Sequence, residues 1–456
     1  MQRIARLKPS SLRNTTALHN IKSFDHRLSS VPWSQLRRYV AAPAKPTLLS
    51  PKFSIPWLKA LELKEKNSVV KMEANKSQLT PKRMSDSYSS YTLEFGKDEW
   101  LVDSYVNATG QLRLGNIFMD LDALSGVIAY KHAGEGYTIV TAAVDRISLL
   151  HPPTSFCDME LRGMVTWTSN RSSMEISLEV VAKEENKTVL TCQFTMVALD
   201  PFTKKATNIN PLIAETAEEK RIFARGEERN KFKKALASTS LEKQAPNEEE
   251  SNLIHKMWRQ QQHYKGMYSS NMSILTWRQK LDPGVGKPAK VMYMSDTEIQ
   301  TTQIMQPQYR NRHSYMIFGG LLLRNTFELA FTCCAAASHS RPRFLSMSPS
   351  VFRESVPVGG ILYLTAKVVH TDTAPTGGTR VQVRVESKVR DVHHSSLRHT
   401  GTFTYTFDTE ADFQVMPKTY GEFVSYIDAR RKAEAEQSWL DTRDEVPDNL
   451  EGSIVE

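Results

Sequence analysis

Two carboxylates, Asp122 and Glu328, sit at comparable depth in two apolar stretches with helical patterning, and both could act as a general base. Placing residues 117–132 at 100° steps brings Ile117, Leu121, Leu124 and Ile128 within about 60° of one another as a core stripe. Asp122 falls roughly 100° or more from most of that stripe, beside Ser125, Gly126 and Ala129. A carboxylate among small residues leaves room for something to approach it. Asp120 points nearly the opposite way, so the two aspartates are not an acid–base pair. The structural alternative for Asp122 is a partner for the helix dipole. For Glu328, in the stretch 321–338, it is an ion pair with Arg324 four residues earlier. Before each stretch lies a short run of small residues, Gly115-Asn116 and Gly319-Gly320. Backbone N–H groups there can hold a developing oxyanion, although glycines equally serve tight helix–strand contacts.

The elements around these residues repeat. After the loop 107–115 and the first helical stretch come four strand-like runs, 137–150, 158–168, 173–183 and 188–199. The alternation in Met174-Glu-Ile-Ser-Leu-Glu-Val180 gives the strand period most plainly. After the loop 311–320 and the second helical stretch, runs at 344–352, 358–371, 379–390 and 400–409 follow in the same order. The Asn-to-Gly spacing, Asn107 to Gly115 and Asn311 to Gly319, is the same in both, and Phe194-Thr195 recurs as Phe403-Thr404. This reads as an internal duplication of about 200 residues. One helix followed by four antiparallel strands, used twice, predicts an α+β fold in which each sheet wraps its helix.

Composition excludes several classes. The chain has 456 residues, 24% of them charged, with four cysteines and no CxxC pair, so a disulfide framework is out and a reducing compartment fits. The longest nearly apolar run, 319–337, is broken by Arg324, Asn325 and Glu328, which argues against an integral membrane segment. The net charge of +9 suggests nucleic acid, but residues 1–40 carry eight Lys/Arg against Asp25 alone. Without them the charge is +2, which gives no reason for nucleic-acid binding. An Arg- and Ser-rich, acid-poor arm has transit-peptide composition, with Arg37-Arg38 as a processing site. No GxSxG, HExxH or P-loop occurs, and Gly284-Val-Gly286-Lys287 lacks the P-loop spacing. His393, His394 and His399 read as surface residues, and no metal site is expected.

The predicted organisation is a transit peptide (1–40), an extended lead-in with one short helix near 55–66 (41–85), a first domain (86–204), a helical linker (205–290), a second domain (291–415), and a C-terminal helix and tail (416–456).

Several separated blocks carry a resemblance. They include Gly115-Asn-Ile-Phe-Met-Asp-Leu-Asp-Ala-Leu-Ser-Gly126, Asn210-Pro-Leu-Ile213, Ile317-Phe-Gly-Gly-Leu-Leu-Leu-Arg324 and Pro417-Lys-Thr-Tyr-Gly-Glu422. From about residue 90 to 430 the chain resembles the mitochondrial acyl-coenzyme A thioesterases with two hotdog domains. The resemblance implies tandem hotdog domains pairing as an internal dimer, further assembled as a trimer of such pairs. It also implies hydrolysis of acyl-CoA to free acid and CoA in the mitochondrial matrix, without a cofactor. Carried over by position, it implies one site from Asn311 with Asp122 and another from Asn107 with Glu328, with backbone donors at Gly115, Asn116, Gly319 and Gly320. Asn107 keeps the Asn-x-x-Gly spacing; Asn311 is followed by His313-Ser314 instead. Copy one keeps Val144-Asp145, where copy two has Ser346-Met-Ser-Pro349, which weighs against two equal sites. Arg171 is a candidate for the CoA phosphates through a forked contact. The rival reading is a non-catalytic acyl-CoA-binding or assembly protein on the same scaffold. A hotdog dehydratase would need a paired Asp and His, and His132 is too far along the helix.

Overall fold

The computed structural model describes residues 79–441, except 154–155, 170, 202, 242, 265–286, 312–315, 376 and 393–395. The basic arm, the lead-in helix, the acidic tail, His313-Ser314 and His393-His394 therefore lie outside the described residues.

The first half runs β1 (Ser89–Leu93), α1 (Glu99–Tyr105), α2 (Leu114–Ala133), β2 (Thr138–Leu149), β3 (Met159–Thr168), β4 (Ser173–Ala182) and β5 (Lys187–Leu199). Two helices follow, α3 (Ala217–Ser238) and α4 (Glu248–Tyr264). The second half runs β6 (Ile299–Ile304), α5 (Gly319–Ser338), β7 (Arg343–Met347), β8 (Ser350–Val351), β9 (Ile361–Thr373), β10 (Thr379–Arg390) and β11 (Leu397–Thr409), and α6 (Tyr420–Asp441) follows. Each half is a long helix wrapped by an antiparallel sheet, the hotdog arrangement, used twice.

The two sheets are continuous. Among the described residues the strand order is β1-β3-β4-β5-β2-β7-β11-β10-β9-β6, with β8 also pairing β2. The junction is made by Met347 opposite Ile147 and by Ser350 opposite Val144. Two edge strands, β1 and β6, escape the sequence reading because Ser-Ser-Tyr-Thr-Leu and Ile-Gln-Thr-Thr-Gln-Ile lack the apolar alternation that marks a half-buried strand.

Inside the continuous sheet α2 and α5 pack against each other. The N-terminal turn of each lies against the body of the other, which makes them antiparallel: a Cβ on Gly320 would come 2.9 Å from Met119 Cα, and one on Gly115 would come 3.2 Å from Glu328 Oε1. Gly320 is therefore needed for backbone contact between the helices. Phe118 of α2 meets Phe327 of α5 edge-on at 4.9 Å between ring centres. Ile117, Leu121, Leu124 and Ile128 are buried as the stripe predicts, but Phe118, Met119, Asp120 and Asp122 are buried as well. A helix enclosed by a sheet on one side and a second helix on the other has little solvent face left.

Both helices begin earlier than expected, at Leu114 and Gly319, so the glycines sit in the first helical turns and not in loops before them. Outside the sheet, α3 packs against it. Ile222 is buried with Met84 and Met164, and Gly226 lies so close to Trp167 that an added Cβ would be 2.6 Å from that side chain. Arg229 and Lys233 of α3 reach Glu175 and Asp145 of the sheet, each at 2.7 Å.

Candidate active site

Asp122 is buried, at 2% exposure, on the face of α2 that meets the other half. Thr141 of β2 donates its hydroxyl to Asp122 Oδ1 at 2.8 Å, and the backbone N–H of Gly320 in α5 donates to the same carboxylate. Neither α2 nor α5 has a side-chain N-cap of its own, Arg113 and Phe318 occupying those positions. An unsatisfied first-turn amide of α5 is thus capped in trans by a carboxylate from the first half. Gly319 permits this: a Cβ there would come 3.1 Å from Asp122 Oδ2.

Burial pushes the Asp122 carboxyl up to about 6, against the opposing pull of the Thr141 hydroxyl and the Gly320 amide. A base of this strength is mainly ionised at neutral pH yet still accepts a proton readily. Asp120 is different in kind. It faces away, accepts from the Tyr105 hydroxyl, and is pushed up to about 7 by its burial.

A cavity of about 550 Å³ opens at the seam. Asp122, Gly126 and Tyr130 of α2 line it together with Asn311, Phe318 and Gly319 of the second half. The structure therefore brings Asp122, Asn311 and Gly319 to one cavity, with Gly320 bonded to the carboxylate. Thr141 was missed. It lies within the strand 138–149, and nothing in its local pattern marks it; only the fold shows that it reaches across to α2.

The second combination does not assemble in the same way. Glu328 lies beside Gly115 much as Asp122 lies beside Gly319, but Arg113 grips Glu328 Oε1 through Nε and Nη2, both at 2.7 Å. Arg324 adds a contact at 3.3 Å, the ion pair that the helical spacing allowed. Asn107 spends its side-chain oxygen on its own turn, accepting from the amides of Thr109 and Gln111 and from the Thr109 hydroxyl. The Glu328 carboxylate thus meets two guanidinium groups and the Asn107 side-chain oxygen its own turn, where Asp122 meets a hydroxyl and an amide and Asn311 lines the cavity. Because the Glu328 side chain is 35% exposed, Glu328→Gln is expected to change unfolding free energy by less than about 1 kcal/mol. Chemical denaturation measures that difference.

Other expected residues fall elsewhere. Asn116 lies in the first turn of α2, its amide donating to Arg113 O and its side chain to Ser104 O, so it is not presented as an oxyanion donor. Arg171 is exposed on the β4 approach and does not line the cavity; among the described residues the basic side chains that do are Lys204, Arg310 and Arg353, all exposed. His132 is a buried structural histidine, exchanging hydrogen bonds with Asn210 through Nε2 and its carbonyl.

No protein-family model matches the chain. Mouse "Acyl-coenzyme A thioesterase 10, mitochondrial" is 32% identical over 391 residues, covering 83% of this chain and 84% of the relative. The chain belongs to the acyl-coenzyme A thioesterase family. The human relative, "Acyl-coenzyme A thioesterase 9, mitochondrial", gives the same identity over 390 residues and the same shares of both chains. Among solved structures, an acyl-CoA hydrolase from Staphylococcus aureus in complex with butyryl coenzyme A is similar to 33% of this chain and 93% of its own, at 21% identity and a TM-score of 0.31. As a thioesterase of this family, the chain presents one carboxylate bonded to an amide and lining a cavity, and a second bound by arginine.

Proposed function

We propose that this protein hydrolyses acyl-CoA to a free fatty acid and CoA, with Asp122 as the general base of a composite site. The observation that carries the reading is the buried Asp122 carboxylate, bonded to the amide of the opposing helix and facing a seam cavity shared with Asn311. Asp122 takes a proton from water as its oxygen attacks the thioester carbonyl carbon, and Asn311 orients that water. The carbonyl oxygen gains negative charge beside the N-terminal turn of α5, where the helix dipole favours an anion. Collapse of the tetrahedral intermediate breaks the carbon–sulfur bond, and the proton held by Asp122 passes to the CoA thiolate. Thiolate is a good leaving group, so no strong general acid is needed. In place of Arg171, the exposed Lys204, Arg310 and Arg353 around the cavity are the groups for the CoA phosphates.

The mitochondrial names of the relatives and the transit-like composition of residues 1–40 support action in the mitochondrial matrix. The internal pairing of two hotdog halves and the exposed sheet edges, where Ile304 is 56% exposed, support further assembly as a trimer of the double unit. The non-catalytic reading is not favoured, because the relatives that match most of this chain are named thioesterases.

The pH profile of thiol release tests this function. Base catalysis requires ionised Asp122, so kcat/KM is expected to rise with pH and level off above an inflection near 6. Thr141→Val removes a hydrogen bond that favours the ionised form and moves the inflection upward. A rate that is flat from about pH 5 to 8 would exclude Asp122 as the base.

A further inference from the structure

Gly126 has no evident structural reason to be glycine. It lies in the interior of α2, where glycine is the least favourable residue after proline. Its φ is not in the left-handed region, and a Cβ built on it meets no atom within 4 Å. That sets it apart from Gly115, Gly319 and Gly320, where a side chain would strike the opposing half. Gly126 nevertheless lines the seam cavity, so the space its missing side chain leaves belongs to the cavity.

The cavity lining mixes apolar and polar side chains. Along α2, Ala123, Gly126, Val127 and Tyr130 continue from Asp122 and meet Ile139 and Met196 of the sheet, all without charge. Lys204, Arg310, Asn311, Arg353, Glu354 and Ser355 add polar groups to the same lining. An acyl chain belongs against the apolar residues along α2, and a phosphorylated carrier beside the basic ones. Tyr130, eight residues along α2 from Asp122, is anchored, its hydroxyl accepting from the Ile139 amide at 3.2 Å.

We infer that Gly126 sets the acyl-chain length this thioesterase accepts, by leaving open the channel that runs along α2 from Asp122 to Tyr130. The inference rests on the proposed acyl-CoA hydrolysis at Asp122 and assigns the acyl end of that site. Helical rise places Gly126 about 6 Å and Tyr130 about 12 Å along the axis from Asp122. An extended chain advances about 1.2 Å per bond, judged from the three-bond repeat of extended polypeptide. Gly126 then stands beside about the fifth acyl carbon and Tyr130 beside about the tenth.

The test is the chain-length profile of kcat/KM for straight-chain acyl-CoA from two to twelve carbons, compared among the full-length wild type, Gly126→Ala and Gly126→Leu. Gly126→Leu is expected to leave acetyl- and butyryl-CoA within about threefold of wild type and to lower decanoyl-CoA by at least tenfold. Gly126→Ala, which the empty Cβ position accommodates, is expected to give a smaller loss of the same sign with a melting temperature no lower than wild type. Equal losses at every chain length, or no change at any length, would overturn the assignment. So would a Gly126→Leu protein that fails to fold while Gly126→Ala leaves the profile unaltered. Failure of the catalytic reading looks different: wild-type enzyme would then release no thiol from any acyl-CoA.

Discussion

Asp122→Asn is expected to lower thiol release from acyl-CoA by about 10²–10⁴-fold, the range for loss of a positioned general base. The effect should fall on kcat, because Asp122 meets the attacking water and not the acyl chain or the carrier. The amide fits the same space. Its oxygen can accept from Gly320 N–H, and its nitrogen can donate to Thr141 if that hydroxyl turns to accept. Stability should move in the opposite direction from activity. The folded-state carboxyl titrates near 6, above its ordinary value, so the folded protein holds the proton more tightly than the unfolded chain. The ionised group therefore costs nothing below about pH 4, and its cost grows as pH rises through about 6, reaching on the order of 3 kcal/mol. Asp122→Asn lacks that pH dependence. Denaturation at pH 8 is expected to find it at least as stable as wild type, the pattern of a site that trades stability for chemistry.

The second large effect is expected from Phe327→Ala. Phe327 sits at the junction of both halves, with ring-centre distances of 4.9 Å to Phe118, 5.2 Å to Phe344 and 5.7 Å to Tyr405. Removing its ring leaves a cavity that the surrounding aromatics, fixed in two sheets and two helices, cannot close. The cost is expected to be about 3–5 kcal/mol, read as a lowered denaturation midpoint. Phe327→Leu should cost less, since it keeps more of the volume. Activity should fall with the alanine variant even under conditions where it remains folded. The Phe118–Phe327 contact packs α2 against α5, the same two helices that the Asp122–Gly320 hydrogen bond joins. The exposed Tyr420, at 71% accessibility, is the control: its alanine variant should stay within about 0.5 kcal/mol of wild type.

Local periodicity made the main elements legible. The strand at Ser173–Ala182 was evident from alternating residue types, yet both of its faces are buried. Glu175 and Glu179 point to the outer face, where Arg229 of α3 and Arg162 of β3 meet them. Alternation therefore identified a strand correctly while implying a solvent face that a later helix covers. The position of Asp122 off the apolar stripe was readable at 100° per residue. Its partners were not. Gly320 lies nearly two hundred residues away in sequence, and the hydrogen bond exists only because two halves pack helix to helix. The same limit applies to the contact between Arg113 and Glu328, which has no counterpart at Asp122 among the described contacts. Spacing within one helix revealed Arg324 as a partner of Glu328, but the stronger grip comes from the other half.

The central claim is that one composite site at the seam, built on Asp122, performs the hydrolysis, while its counterpart at Glu328 serves structure. The most direct test measures thiol release by Asp122→Asn and Glu328→Gln side by side, on one acyl-CoA at saturating concentration. The account predicts a loss of at least about 100-fold for Asp122→Asn and a rate within about threefold of wild type for Glu328→Gln. Equal losses in the two variants, or full activity in Asp122→Asn, would contradict it.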